Sequence, residues 1–428
     1  MKKYYFKQLD ETSLKNLCGR KAIRFDAVLP IVQDVLREVK SSGDKAIREY
    51  TEKFDNVCLS SFAVRQAEIE RACERVSKNI QSAFNKAARN IERFHKSQIV
   101  KLKKVQTMPG ITCFTEARPI EKVGLYIPGG TAPLPSTVLM LGIPAKLAGC
   151  KEIVLATPPV KDGNVADIIL FVAKLCGITQ IFKIGGSQAI AALAFGTESV
   201  PKVYKIFGPG NQYVTAAKML VSTDTDGAAI DMPAGPTEVF VIADEKARAD
   251  FVASDLLSQA EHGIDSQAIL VTTTDKKSDE ILAEVKRQIE TLPRKEIARK
   301  SLGNSFIVII DSIEKAIVFS NRYAPEHLIL NVENAAKYIS EITNAGSVFL
   351  GQYSCESAGD YASGTNHSLP TYGYARVYSG VSVSSFQKQL TFQKITKQGA
   401  KKLGPIIVMM ASQESLEGHK RAMQLRYQ

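Results

Sequence analysis

From residue 122 to residue 350, short runs of apolar, largely β-branched residues recur and alternate with stretches whose apolar residues fall three and four apart. The runs at 123–127, 152–156 and 181–184 alternate with helical patterns over 136–147, 165–176 and 187–194. A second series has runs at 238–242, 268–271, 306–310, 327–330 and 347–350, with helical patterns over 247–260 and 277–291. A continuous apolar run marks a strand covered on both faces, and a helix between two such strands forces a parallel, right-handed crossover. The chain is therefore read as α/β, with two parallel-sheet units of similar build side by side. Ligands are expected at the carboxyl ends of their strands.

The flanks differ. Residues 31–39 and 67–94 have helical spacing, and Ser42-Gly43-Asp44 can cap a further helix from residue 45. From about residue 380 the pattern changes, ending in a helical stretch over 413–426. That tail is too short to fold alone and is expected to pack on something else, a second subunit being one candidate.

At 428 residues, 45% hydrophobic and 23% charged, the chain fits a globular protein of two or three domains. The longest apolar runs, 138–149 and 406–412, fall short of the ~20 residues that span a bilayer. Lys7, Asp10 and Glu11 leave no room for a signal peptide, so a cytoplasmic protein with no membrane role is expected. Seven scattered cysteines without a C-x-x-C pair argue against a disulfide framework and a thiolate zinc site.

The net charge of +11 is uneven. Residues 1–104 hold 23 Lys and Arg against 13 Asp and Glu, and the remainder 32 against 31. The excess lies in helical patterns such as 85–104, without interleaved aromatics or a nucleic-acid motif, which reads as a solvated face and no nucleic-acid partner.

Glycine-rich turns follow three strand runs: Pro128-Gly129-Gly130, Gly185-Gly186-Ser187-Gln188 and Gly208-Pro209-Gly210-Asn211. Glycine lets a backbone approach phosphate, yet tight turns use the same residues, and no G-x-G-x-x-G or Walker A sequence is complete.

Of five histidines, His95 reads as a surface or packing residue, and four lie among polar groups. Gln259 and His262, three apart, share a helix face. Asp360 and His367 bound a polar loop, and Glu414 and His419 close the chain. Such a set suits Zn²⁺, although each histidine alone also reads as a satisfied polar residue. Glu326-His327, at the start of a strand run, can share proton transfer or form a structural pair.

The segments Gly124–Gly130, Phe207–Tyr213, Asp231–Glu238, Leu257–His262, Tyr323–Leu328, Gly359–His367 and Glu414–His419 together resemble the histidinol dehydrogenase family, in order and with its spacing, from about residue 25 onward. The resemblance implies two incomplete Rossmann-like domains with helical N-terminal and C-terminal extensions. They would comprise residues 1–25 as an extension, 26–122 with 238–380 as the domain carrying zinc and catalytic residues, 123–237 as the domain contacting NAD, and 381–428 completing a dimer. It implies oxidation of L-histidinol through L-histidinal to L-histidine by two NAD⁺ in turn, the last steps of histidine biosynthesis. One Zn²⁺ per subunit would be held by Gln259, His262, Asp360 and the partner subunit's His419, in a homodimer with shared active sites. His327 would be the general base and Glu326 would activate water. Thr237, Gln259, His262, His327, Asp360, His367, the partner's Glu414 and the partner's His419 would contact substrate, and Tyr126, Gln188 and Asn211 would contact NAD. The main alternative is a metal-dependent hydrolase using the same ligands, with Glu326 activating water; a hydrolase has no need of the glycine-rich turns.

Overall fold

The structure, a computed structural model, describes residues 1–20, 25–99, 103–129 and 133–428. Gly130, and residues 100–102 of the basic stretch, lie outside them.

Two parallel sheets form the centre. The first runs in the order Lys2–Tyr5, Phe306–Ile309, Gln267–Thr272, Glu238–Ala243, His327–Asn331, Ser347–Leu350. The second runs Gln180–Lys183, Glu152–Thr157, Lys122–Tyr126, Lys205–Phe207, Ala229–Ile230. All pairings in both are parallel. Counted from its first chain-order strand after the N-terminal one, each sheet follows 3-2-1-4-5, the order of a doubly wound dinucleotide fold without its sixth strand. Strand order reverses between Glu238–Ala243 and His327–Asn331 in the first sheet, and between Lys122–Tyr126 and Lys205–Phe207 in the second.

The central strands are apolar because both faces are covered. Val239, Phe240, Val241 and Ile242 are fully buried, as are Leu270 and Leu328. Each such side chain contributes about 1.5–3 kcal/mol on burial, far more than the few tenths that separate one residue's strand propensity from another's. Helix Pro135–Ala148 tolerates Pro144 within a fully packed environment.

Four expectations are corrected. Helices of residues 25–97 pack on the second sheet, not on the 238–350 sheet with which residues 26–122 were grouped. Phe25–Asp55 lies against Gly186–Phe195 and Gln212–Thr223, Gln66–Arg75 against Asp167–Cys176, and Lys78–Ser97 against Pro135–Ala148. Helical spacing shows that a stripe is buried but does not encode which helix it packs on. The 1–25 extension contributes an edge strand, Lys2–Tyr5, paired with Phe306–Ile309. The expected 67–94 helix is two, separated at Val76-Ser77. The tail is not one helix over 413–426 but Lys397–Gln413 and Glu417–Tyr427, broken where Ser415 has φ 57°.

The predicted break before residue 45 is present. Gly43 takes φ 52°, ψ −129°, and the freed Asp44 N–H is accepted by Glu198 Oε2 at 2.8 Å. A three-stranded antiparallel sheet (Gln387–Ile395, Ile111–Pro119, Val105–Met108) was not expected. It joins the tail to the body, and its strands are largely exposed or half-buried, so no buried face marks them in the sequence. Among the described residues no helix is long and apolar enough to cross a membrane.

Candidate active site

The two sheets present opposite edges to one another. The carboxyl ends of the second sheet carry the glycine turns, as expected. In the first sheet the polar cluster sits at the amino ends, contrary to expectation: Glu238, Gln267 and His327 each open a strand. Helix Ala249–Ala260 returns to that edge, so its last turn delivers Gln259 and, one step beyond, His262. A cavity of about 1210 Å³ lies between Asn211 and Tyr213 on one side and Thr237, Glu238 and His262 on the other.

Glu326 and His327 are 5% and 3% exposed. Glu326 Oε2 accepts from the Thr237 hydroxyl at 2.5 Å and from the Glu238 N–H at 2.9 Å. Burial pushes its carboxyl up to about 7. His327 Nδ1 lies 3.2 Å from the Glu238 carbonyl oxygen, which can only accept, so Nδ1 carries a proton in either charge state and Nε2 is the nitrogen that gains or loses one. Nε2 faces Asp360 Oδ1 at 3.5 Å. Burial alone would depress the imidazole, but Glu356, Glu326 and Asp360 around it outweigh that and raise it well above its ordinary value. Burial would raise Asp360, but His327 beside it holds it below the usual range.

Several buried atoms here have no hydrogen-bond partner: His327 Nε2, Asp360 Oδ1, Glu356 Oε2 and both amide atoms of Gln259. A buried polar group left unmade costs about 1–3 kcal/mol. Two bare acceptors facing each other at 3.5 Å also repel unless a proton or cation lies between them. His262, Glu356 and Asp360 each offer a ligand atom within 4.8 Å of the other two. Imidazole, carboxylate and amide donors of this kind fit a divalent cation such as zinc.

Glu356 is the residue that sequence reading missed. It opens the short helix Glu356–Tyr361, one turn ahead of Asp360, and burial lifts it well above the usual carboxylate range. Two acids four apart before a polar loop were the available signal. His367 is held on the same loop, Nδ1 to the Asp360 carbonyl oxygen at 3.0 Å and Nε2 beside the Thr137 hydroxyl at 3.2 Å. His95 is fully buried, not on the surface. Its Nδ1 meets Gln98 at 3.0 Å and its Nε2 lies 3.3 Å from Asn366, which ties the loop to helix Lys78–Ser97.

Asp255, one turn before Gln259, is also buried, and burial pushes its carboxyl up to about 7. Its unfolded value is near 3.9, so the folded state binds this proton more tightly, and the stability it gives is lost as pH rises from about 4 to 7. Asp255→Asn removes that dependence. In urea unfolding of chelator-stripped protein, the variant should gain on the parent between pH 5 and pH 8 by about 2–4 kcal/mol. A gap that stays constant with pH would contradict it.

At the carboxyl edge of the second sheet, the Tyr126 hydroxyl accepts the Gly186 N–H at 3.1 Å. Gln188 is 1% exposed with neither amide atom partnered. Asn211 caps helix Gln212–Thr223, its Oδ1 accepting from Tyr213 and Val214. Gly208 has φ 123°, and a Cβ there would lie 2.1 Å from the Tyr126 carbonyl oxygen, so only glycine lets these two switch-point strands end side by side. Lys218 and Asp231, both buried, hold that turn through the Gly208 carbonyl and N–H. These orphaned amides and the open turn fit a dinucleotide.

Glu414 and His419 are not brought to this cluster within one chain. Both are exposed, and their backbone bonds run within the C-terminal helical pair, to Met410 and Leu416. That pair exposes Met409, Met410 and Leu425 at 64%, 60% and 72%.

Two incomplete Rossmann-like sheets, with a buried imidazole and carboxylate cluster between their edges, place the chain among α/β proteins of Rossmann-like build. The family model for histidinol dehydrogenase matches residues 18–427. The chain is 57% identical over 410 residues to histidinol dehydrogenase of Bacteroides thetaiotaomicron, covering 96% of this chain and 95% of that one. It is 52% identical over 427 residues to that of Vibrio parahaemolyticus, covering 100% and 98%. The crystal structure of histidinol dehydrogenase from Elizabethkingia anophelis superposes with a TM-score of 0.95 at 54% identity, covering 100% and 98%. The chain belongs to the histidinol dehydrogenase family, and is an oxidoreductase of histidine biosynthesis. None of these relatives supports the hydrolase alternative.

Proposed function

We propose that the protein oxidises L-histidinol to L-histidine in two NAD-dependent steps, through L-histidinal, with one zinc ion per subunit. The observation that carries this is the set of unpartnered buried donors at Gln259, Asp360 and His327, beside His262, in a chain of this family. Gln259, His262 and Asp360 would hold the ion, with the partner's His419 completing the set. When bound, the ion orients and polarises the substrate, and NAD⁺ accepts the hydride. His327 Nε2, facing the cluster without a hydrogen-bond partner, takes the hydroxyl proton at each oxidation from the neutral form of the ring. Glu326, poised near neutrality by burial, has one oxygen committed to Thr237 and Glu238. The other is free to draw a proton from the water that hydrates the aldehyde. Thr237 thus acts here through Glu326, beyond the substrate contact expected of it. His367 and the partner's Glu414 would contact substrate.

Tyr126, Gln188 and Asn211 would meet the dinucleotide at the second sheet's switch point. The protein would act as a homodimer through the exposed apolar C-terminal helices. The free thiols fit a reducing compartment such as the cytoplasm.

The test is the rise of absorbance at 340 nm with L-histidinol and NAD⁺, before and after chelation. We expect two NADH per histidine formed, loss of most of the rate on chelation, and return with Zn²⁺. A flat trace from metal-replete protein would overturn the proposal.

A further inference from the structure

The N-terminal segment supplies an edge strand to the first sheet, and it also places a buried side chain directly behind the site. After helix Glu11–Cys18, Arg20 enters the amino edge of the first sheet, its side chain 7% exposed. All five of its N–H donors are used. Nε and one Nη2 hydrogen meet the two oxygens of Glu238 at 2.9 and 2.7 Å. The other Nη2 hydrogen meets the Ala324 carbonyl at 3.2 Å. Nη1 meets the carbonyls of Tyr323 at 2.6 Å and Cys18 at 3.1 Å. The guanidinium also stacks 3.7 Å over the Tyr323 ring, whose hydroxyl lies 3.0 Å from Glu238 Oε2.

Both sides of this clamp lead to the same two residues. Glu238, itself 1% exposed, gives its N–H to Glu326 and its carbonyl to His327 Nδ1. Ala324, left-handed at φ 54° without being glycine, is the turn from helix Ile313–Tyr323 into Pro325-Glu326-His327. A non-glycine residue in that conformation persists where its surroundings hold it, and two of the carbonyls of this turn end on Arg20.

We infer that Arg20 is a positioning residue for the Glu326–His327 pair: by fixing Glu238 on one side and the Tyr323–Ala324 turn on the other, it holds the carbonyl that His327 Nδ1 meets and so keeps the ring turned with Nε2 toward the cluster. The inference rests on His327 being the base. Lysine cannot replace this fork, because an ammonium is a point charge with three donors that cannot pair both Glu238 oxygens and reach two carbonyls in one plane.

The test uses zinc-loaded dimer with L-histidinol and NAD⁺. Arg20→Lys keeps the charge and most of the volume. We expect kcat to fall about 10- to 100-fold while both KM values and the zinc content stay within about threefold of the parent. Placed in a His327→Asn background and read on the oxidation of L-histidinol to L-histidinal alone, a step that does not use Glu326, Arg20→Lys should cost less than about threefold more, since there it acts through the residue already removed. Arg20 lines the cavity, so Arg20→Ala should recover at least about tenfold of its lost kcat on adding millimolar guanidinium. Near-parental kcat in Arg20→Lys would overturn the inference. So would a loss confined to KM or zinc, a full additional loss in the double variant, or no guanidinium rescue. If His327→Asn alone turns over at the parental rate, the assignment of the base fails instead, independently of Arg20.

Discussion

His327→Asn should turn over about 10²–10⁴-fold more slowly than the parent, with zinc content unchanged. The substitution is chosen for its geometry. The asparagine amide can give one N–H to the Glu238 carbonyl, as Nδ1 does at 3.2 Å, so the packing at the strand start is kept. What it lacks is a lone pair at the Nε2 position, 3.5 Å from Asp360 Oδ1. Hydride leaves a primary alcohol readily only as the hydroxyl proton is drawn away, and no other unprotonated imidazole nitrogen at the cluster is both buried and unpartnered among the described residues. Both oxidations should therefore fail together, and supplied L-histidinal should be oxidised as poorly as L-histidinol. Steady-state rates with each substrate, with zinc measured on the same samples, check this. Turnover within a few-fold of the parent would remove His327 from the role of base.

Much of this fold was legible in the sequence, for a physical reason. A parallel strand buried on both faces has no choice but to be apolar, so 238–242, 268–271 and 327–330 declare themselves locally. The Gly43 break was legible for a similar reason, since glycine admits a left-handed backbone that most residues resist.

The features that were missed depend on partners distant in sequence. The strand Gln387–Ile395 is mostly exposed, so its polar composition hides it until Ile111–Pro119 pairs with it. The helices of residues 25–97 carry apolar stripes that do not name their partner; the structure packs them on the helices of the second sheet. The same contrast holds at the site. Glu326-His327 and the Gln259–His262 spacing stand out because they are local pairs. Glu356, Asp255, Glu238 and Arg20 become site residues only through contacts across tens or hundreds of residues, as the span from Arg20 to Glu238 illustrates. The family resemblance makes Glu414 a substrate contact and His419 a ligand, yet a single chain leaves both in solvent.

That last mismatch leads to the second large effect. If the partner's His419 completes each site, a His419→Asn dimer and a His327→Asn dimer should both be nearly inactive, and their mixture should not be. In a heterodimer of the two variants, one site receives both defects. The other pairs an intact His327 with the intact His419 of the opposite chain. Random exchange makes half of the dimers mixed, each with one good site of two, so activity should return to about one quarter of the parental value. The exposed Met409, Met410 and Leu425 of the C-terminal pair are the face such a dimer would bury. Subunits would be exchanged under mild denaturant, the mixed species isolated with two affinity tags, and the rate measured per dimer. Isolated heterodimers should reach about half the parental rate, because each holds one complete site. Verified heterodimers that stay as inactive as their parents would mean that each chain builds its site alone, and that His419 has some other task on the surface where this structure places it.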